Sequence, residues 1–174
     1  MSAFIDFPRG VVLLIGLLAC VSDVRTRRIP NLLTFGTAFA AFVFHGVSGG
    51  PAALWQSITG WMTGVALFLP FFVLRGLGGG DVKLLAAIGA WVGPSFAAWT
   101  AMYASLAGGA MGLIVAFARG YLWIAISNLW SMVSFWRVAG LKPYPGLTLD
   151  TAGGPRLAYA IPIAVGAMVT IWLR

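Results

Sequence analysis

Residues 4–31 read FIDFPRGVVLLIGLLACVSDVRTRRIPN. Between residues 4 and 23 only Asp6, Arg9 and Asp23 carry charge. A membrane-spanning helix needs about 20 largely apolar residues, and this run supplies them. Arg25, Arg27 and Arg28 end it, and Pro30 breaks the chain, because proline lacks the N–H that a continuing helix uses. The stretch reads as a span with a basic flank.

The pattern repeats along the chain. Residues 31–47 form a second helix, opened by Pro30-Asn31, and Ser48-Gly49-Gly50-Pro51 is a turn. Residues 53–74 form a third, closed by Arg75. Gly76-Leu77-Gly78-Gly79-Gly80 does not suit a helix interior. A fourth helix runs from Asp81 to Trp91, where Gly93-Pro94 stops it. Its roughly 20 Å of rise falls short of the ~30 Å hydrocarbon core. Its start and the glycine loop are therefore expected to be recessed, with protein or a water-filled cavity around them. Residues 95–118 form a fifth helix, and residues 157–173 a last one after Gly153-Gly154-Pro155. In 121–136 the polar stripe of Ser127, Asn128, Ser131 and Ser134 is flanked by Tyr121, Trp123, Trp130 and Trp136. That pattern favours a helix lying in the membrane interface over a seventh span, followed by a polar loop over 137–156. The expectation is an all-α, polytopic membrane bundle of about six transmembrane helices plus an interfacial helix, in one domain over residues 1–174.

Composition agrees. Of 174 residues, 60% are hydrophobic and 9% charged, with mean hydropathy +0.95, whereas a soluble domain carries roughly a quarter charged residues. The net charge is +7. The basic residues lie between apolar runs, so the charge is read as topology and lipid-headgroup contact, with no nucleic acid as partner. With the 25–28 cluster in the cytoplasm, nine basic residues (Arg25, Arg27, Arg28, Arg75, Lys83, Arg119, Arg137, Lys142, Arg156) fall inside and only Arg9 and Arg174 outside. That is the positive-inside bias, and it places both termini outside. A lone Cys20 allows no internal disulfide. His45, the single histidine, reads as a helix-end residue, and no metal or cofactor is expected. Residues 10–19 look superficially like the apolar core of a signal peptide, and Leu17-Leu18-Ala19-Cys20 like a lipoprotein cleavage box, but the preceding segment has no basic leader. Gly60/Gly64 and Ala104/Gly108/Gly112 have the small-residue spacing of close helix packing.

The chain has four aspartates and no glutamate. Asp6 and Asp150 lie in terminal or loop positions. Asp23 ends the first helix and Asp81 begins the fourth, so the layout puts both at the same membrane face. A carboxylate in hydrocarbon costs roughly 2.5–3.5 kcal/mol on insertion scales, so such residues point to function. Two together suit aspartyl-protease chemistry, in which the pair shares a proton. A structural alternative stands beside it: Asp23 pairs with Arg27, and Asp81 caps its helix. Asn31 either caps the second helix or orients Asp23. Lys83, two positions after Asp81, points away on a helix and is expected to snorkel to headgroups. Arg25, Arg27 and Arg28 read as topology anchors.

Asp23 followed by Ile29-Pro30-Asn31, and Gly78-Gly79-Gly80-Asp81-Val82-Lys83, resemble the two signatures of the prepilin (type IV leader) peptidases, GxGD membrane aspartyl proteases. The resemblance spans roughly residues 10–118, and Tyr159-Ala160-Ile161-Pro162 resembles the family's last helix more weakly. It implies an endopeptidase that cuts the short basic leader from type IV prepilins or Flp-type pilin precursors. The cut falls at the cytoplasmic face of the inner membrane, just before the pilin's hydrophobic helix. It implies Asp23 and Asp81 as the catalytic pair, and Gly78 and Gly80 as motif glycines near the substrate. The family's cysteine-rich zinc segment and N-methylation region are not matched, so the resemblance is to the short Flp-type (Tad) or archaeal preflagellin form, without methyltransferase activity. Two other readings remain open: a non-catalytic scaffold of a pilus or secretion system, and a small proton- or cation-coupled transporter. A transporter would place its acids near the midplane, whereas these lie at one face.

Overall fold

The computed structural model describes residues 2–142 and 157–174, with side chains from residue 7 onward. Asp6's side chain, Asp150, Arg156 and most of the 137–156 loop lie outside what is described. Among the described residues six helices follow in order: α1 (Ser2–Thr26), α2 (Asn31–Val73), α3 (Gly79–Val92), α4 (Pro94–Ala118), α5 (Leu122–Ala139) and α6 (Ala160–Leu173). Among the described residues, α2, α4 and Phe7–Thr26 of α1 are long and apolar enough to cross a membrane. The chain is an all-α polytopic bundle.

The 43 residues of α2 do not run straight. Gly50 has φ 68 and ψ −163 inside the helix, a left-handed conformation that glycine adopts without a Cβ clash. The helix folds back there into two arms, 31–49 and 51–73. In the first arm, Lys83 of α3 reaches Asn31 and His45 reaches the carbonyl of Trp91, so this arm runs parallel to α3. In the second, Ser57 donates to the Ala90 carbonyl, while Phe72 lies against Gly79, so this arm runs antiparallel. The expected second and third helices and the turn between them are thus this hairpin.

The short helix α3 is the centre. Its 14 residues rise about 21 Å, and every residue from Val82 to Trp91 except Lys83 is buried. A helix apolar on all sides belongs inside protein, and α1, both arms of α2, α4 and α6 surround this one. Close packing needs small residues. A Cβ on Gly60 would lie 2.0 Å from the Gly89 oxygen, and one on Gly64 2.6 Å from the Ala86 Cα. On α4, Ala104 backs against Gly166 of α6, and Tyr159 lies flat on Gly108. Both small-residue patterns are therefore packing seams.

Helix α4 starts at the far end of α3, near Gly89, passes Tyr159, where α6 begins, at Gly108, and runs on to Ala118. Helix α6 then returns to that far end, where Thr170 meets Thr100 and Arg9 donates to the Arg174 carbonyl. The connection between α4 and α6 therefore starts and finishes on the same side of the bundle. No residue of α5 is buried, and among the described residues it contacts α4 alone.

Candidate active site

The end of α1 builds one side of the site. Arg27 takes φ 55, the left-handed residue that commonly follows a helix, and its N–H closes back on the Asp23 carbonyl at 2.9 Å. The Ser22 and Thr26 hydroxyls both donate to the Arg28 carbonyl, at 2.8 and 3.1 Å. These bonds fold residues 27–30 over the helix end and press Ile29 against Gly80, where an added Cβ would stand 3.3 Å from the Ile29 Cβ.

The start of α3 builds the other side. Gly79 and Gly80 form its first turn, so the helix begins two residues before the expected Asp81. At a helix start the entropic cost of glycine is smaller than in an interior, and the space is needed. Gly78 is in ordinary extended backbone, φ −78 and ψ 149, so its role is room rather than an unusual φ. A Cβ there would meet Asp81 Oδ2 at 3.2 Å. The Gly78 N–H donates to that same oxygen at 3.1 Å.

Asp23 and Asp81 are both buried, 9% and 8% exposed, and line one cleft of about 460 Å³. They come close enough for the charge of Asp23 to act on Asp81. Asp23 lies in the last turn of α1, where the helix dipole disfavours an anion. The N–H of Ala160, first residue of α6, compensates by donating to Asp23 Oδ2 at 3.2 Å. Asp81 lies in the first turn of α3, at a favourable dipole end. Each carboxylate is thus held by a helix N-terminus. Arg27, Arg28 and Lys83 line the same cleft. Among the described residues no three His, Cys, Asp or Glu side chains converge as a metal site would require.

Four of the five residues singled out in the sequence, Asp23, Asp81, Gly78 and Gly80, line this cleft. The fifth, Asn31, also lines the cleft but in a different role. Pro30, not Asn31, holds the cap position of α2, with no side-chain cap. Asn31 Oδ1 accepts from Lys83 Nζ at 3.0 Å. Lys83 accordingly does not reach out to headgroups: it spans to Asn31 and lies over the Phe35 ring, 5.1 Å from its centroid. Asp81 does bond its own helix start, as the structural alternative proposed, and faces Asp23's cleft as well. Ile29 and Ala160 entered the sequence reading only as motif members; their contacts could not be read there, since one acts through an aliphatic contact and the other through a backbone N–H. Tyr159, half-buried between Phe68 and Gly108 and within the electrostatic reach of Asp81, stood in the sequence only as part of the weaker last-helix resemblance.

The model of the Type IV leader peptidase family matches residues 10–113. The chain is 37% identical over 95 residues to "Leader peptidase HopD" of Salmonella typhimurium, covering 51% of this chain and 58% of that protein. It is 35% identical over 101 residues to "Prepilin leader peptidase/N-methyltransferase" of Klebsiella pneumoniae, covering 53% and 44%. It is 32% identical over 100 residues to "Type 4 prepilin-like proteins leader peptide-processing enzyme" of Escherichia coli, covering 52% and 36%. The chain therefore spans between about a third and three fifths of the length of these curated relatives. No solved structure matches.

Proposed function

We propose, from the premise that this chain belongs to the type IV leader peptidase family, that it is a membrane aspartyl endopeptidase that removes the leader from type IV prepilins or related Flp-type precursors. The observation that carries the reading is the convergence of two buried carboxylates from distant parts of the chain on one polar cleft. A structural capping role explains Asp81's bond to Gly78. Asp23's bond to the Ala160 N–H is structural in the same sense, but neither bond calls for the polar cleft that both carboxylates line.

Two nearby carboxylates avoid double ionisation by sharing one proton. With a peptide in the cleft, the ionised member takes a proton from water as the water oxygen bonds to the scissile carbonyl carbon. The protonated member gives its proton to the carbonyl oxygen. The resulting tetrahedral diol collapses: one hydroxyl proton returns to the carboxylate that had donated, the other carboxyl protonates the leaving nitrogen, and the C–N bond breaks. One shared proton is restored at the end of the cycle. The substrate strand lies along Gly78–Gly80, where the backbone is bare of side chains. The reaction proposed is peptide-bond hydrolysis alone.

Arg25, Arg27, Arg28, Arg75, Lys83 and Arg119 cluster at the cleft end of the bundle, and Arg9 and Arg174 lie at the other. By the positive-inside bias the cleft faces the cytoplasm, in the inner membrane, and α5 lies along the same face. The test is purified protein in detergent or liposomes, mixed with a panel of prepilins including an Flp-type one, with the new termini read by mass spectrometry. A single cut ahead of the apolar helix supports the reading. No cut in any prepilin, with folded protein, favours the scaffold.

A further inference from the structure

The polar cleft has an apolar neighbour. A groove of about 340 Å³ opens between the two arms of α2, over one face of α3. Phe35 forms one wall, Trp61, Val65 and Leu69 the other, and Val82 and Ala86 the floor. Wall and floor residues recur at three- and four-residue spacing, so each is a stripe along its helix. A trough bordered by helices in this way suits a further helix as its occupant. Its floor is made of small side chains, which lets a helix backbone come close where lipid gives no hydrophobic drive.

Gly79 and Lys83 line both this groove and the carboxylate cleft, so the two spaces adjoin. One is charged and lies at the basic end of the bundle. The other is apolar except for Lys83 and runs away from that end, along α3. Lys83, tied to Asn31 and resting on Phe35, marks the junction.

We infer that this groove seats the apolar helix of the substrate just beyond the scissile bond, while the polar leader occupies the cleft. The inference rests on the leader-peptidase reading and adds where the substrate's membrane segment docks: against α3 between the arms of α2, not against α1, α4 or α6. A substrate that is polar before the cut and apolar after it matches a site that changes character at Gly79 and Lys83.

The experiment uses the full chain with its only cysteine removed, Cys20→Ala. Into this background go Val65→Cys or Leu69→Cys in the groove, and Leu113→Cys on the exposed face of α4. Each is mixed with a prepilin bearing one cysteine in the first turns of its apolar helix, and oxidised. Disulfide cross-links at the two groove positions and none at Leu113 are expected. A second arm fills the groove with Val65→Trp. KM for full-length prepilin should rise about tenfold with kcat little changed, while cleavage of a short peptide ending a few residues past the bond stays as in the parent. If cross-linking is strongest on α4, or Val65→Trp leaves KM for prepilin unchanged, the groove holds only lipid chains and the inference falls. If the parent cleaves neither prepilin nor peptide, the leader-peptidase reading fails first and takes the inference with it. Cleavage without groove cross-links overturns the inference alone.

Discussion

Asp23 closes one helix and Asp81 opens another, and the residues that bring them together are mostly glycines and backbone amides. Gly78 gives its N–H to Asp81 and leaves room for its carboxylate; Gly80 leaves room for Ile29. At 3.2–3.3 Å an added Cβ is tighter than ordinary contact, yet a few tenths of an ångström of movement accommodates it. Gly78→Ala and Gly80→Ala should therefore fold with nearly normal thermal stability and lose activity by about tenfold to a hundredfold, because small displacements of reacting groups are costly. Prepilin cleavage rates, set beside melting temperatures in detergent, check this. Of this site the two aspartates were legible in the sequence, since a carboxylate beside an apolar run is conspicuous. The Ala160 amide on Asp23 was not, because any non-proline residue supplies an N–H. Nor was the Lys83–Asn31 bond. Helical angle alone turns Lys83 away from Asp81, but its four-carbon stem reaches across to the start of α2.

At the scale of elements, α3 is held by backbone-to-backbone approach. A Cβ on Gly60 would stand 2.0 Å from the carbonyl oxygen of Gly89, and neither backbone can yield cheaply. Gly60→Val should destabilise the bundle by about 1–3 kcal/mol or more, as overpacking does, and show as a lower melting temperature and poor membrane yield. Gly109 is the contrast: it lies in α4 with nothing within 4 Å of an added Cβ. Gly109→Ala should be neutral or stabilising by up to about 1 kcal/mol, from helix propensity alone. The seams were legible as glycines four residues apart. The partner of each seam was not, because spacing names a face and not what it meets. The hairpin in α2 was legible too, from Gly49-Gly50-Pro51 between two apolar runs. That α3 is the central helix follows from a signal available in 82–91: with Lys83 set aside, no polar face exists to turn outward.

The whole molecule has a basic end that holds the cleft and an opposite end where Arg9 meets the terminal carbonyl of Arg174. Apolar run lengths and basic residues were enough to place both termini on one side. They left 121–136 undecided, because a polar stripe with flanking tryptophans suits a surface helix and a tilted span alike. The direction of α4 and α6 adds that both ends of their connection lie on the cleft side of the bundle. With the cleft inward, a C-terminal alkaline phosphatase fusion should be active and a C-terminal green fluorescent protein fusion dark. The reverse pattern would place the cleft outside and contradict the proposed orientation.

The central claim is that Asp23 and Asp81 act as one proton-sharing pair. The measurement that tests it most directly is prepilin cleavage by Asp23→Asn, Asp81→Asn and the double variant, at matched levels of folded protein. Asparagine keeps the shape and removes the titrating group, so each single change should cost at least about a hundredfold in rate. The double variant should be little worse than either, as expected for residues that act as a unit. Cleavage at the parent rate by either single variant would contradict the account.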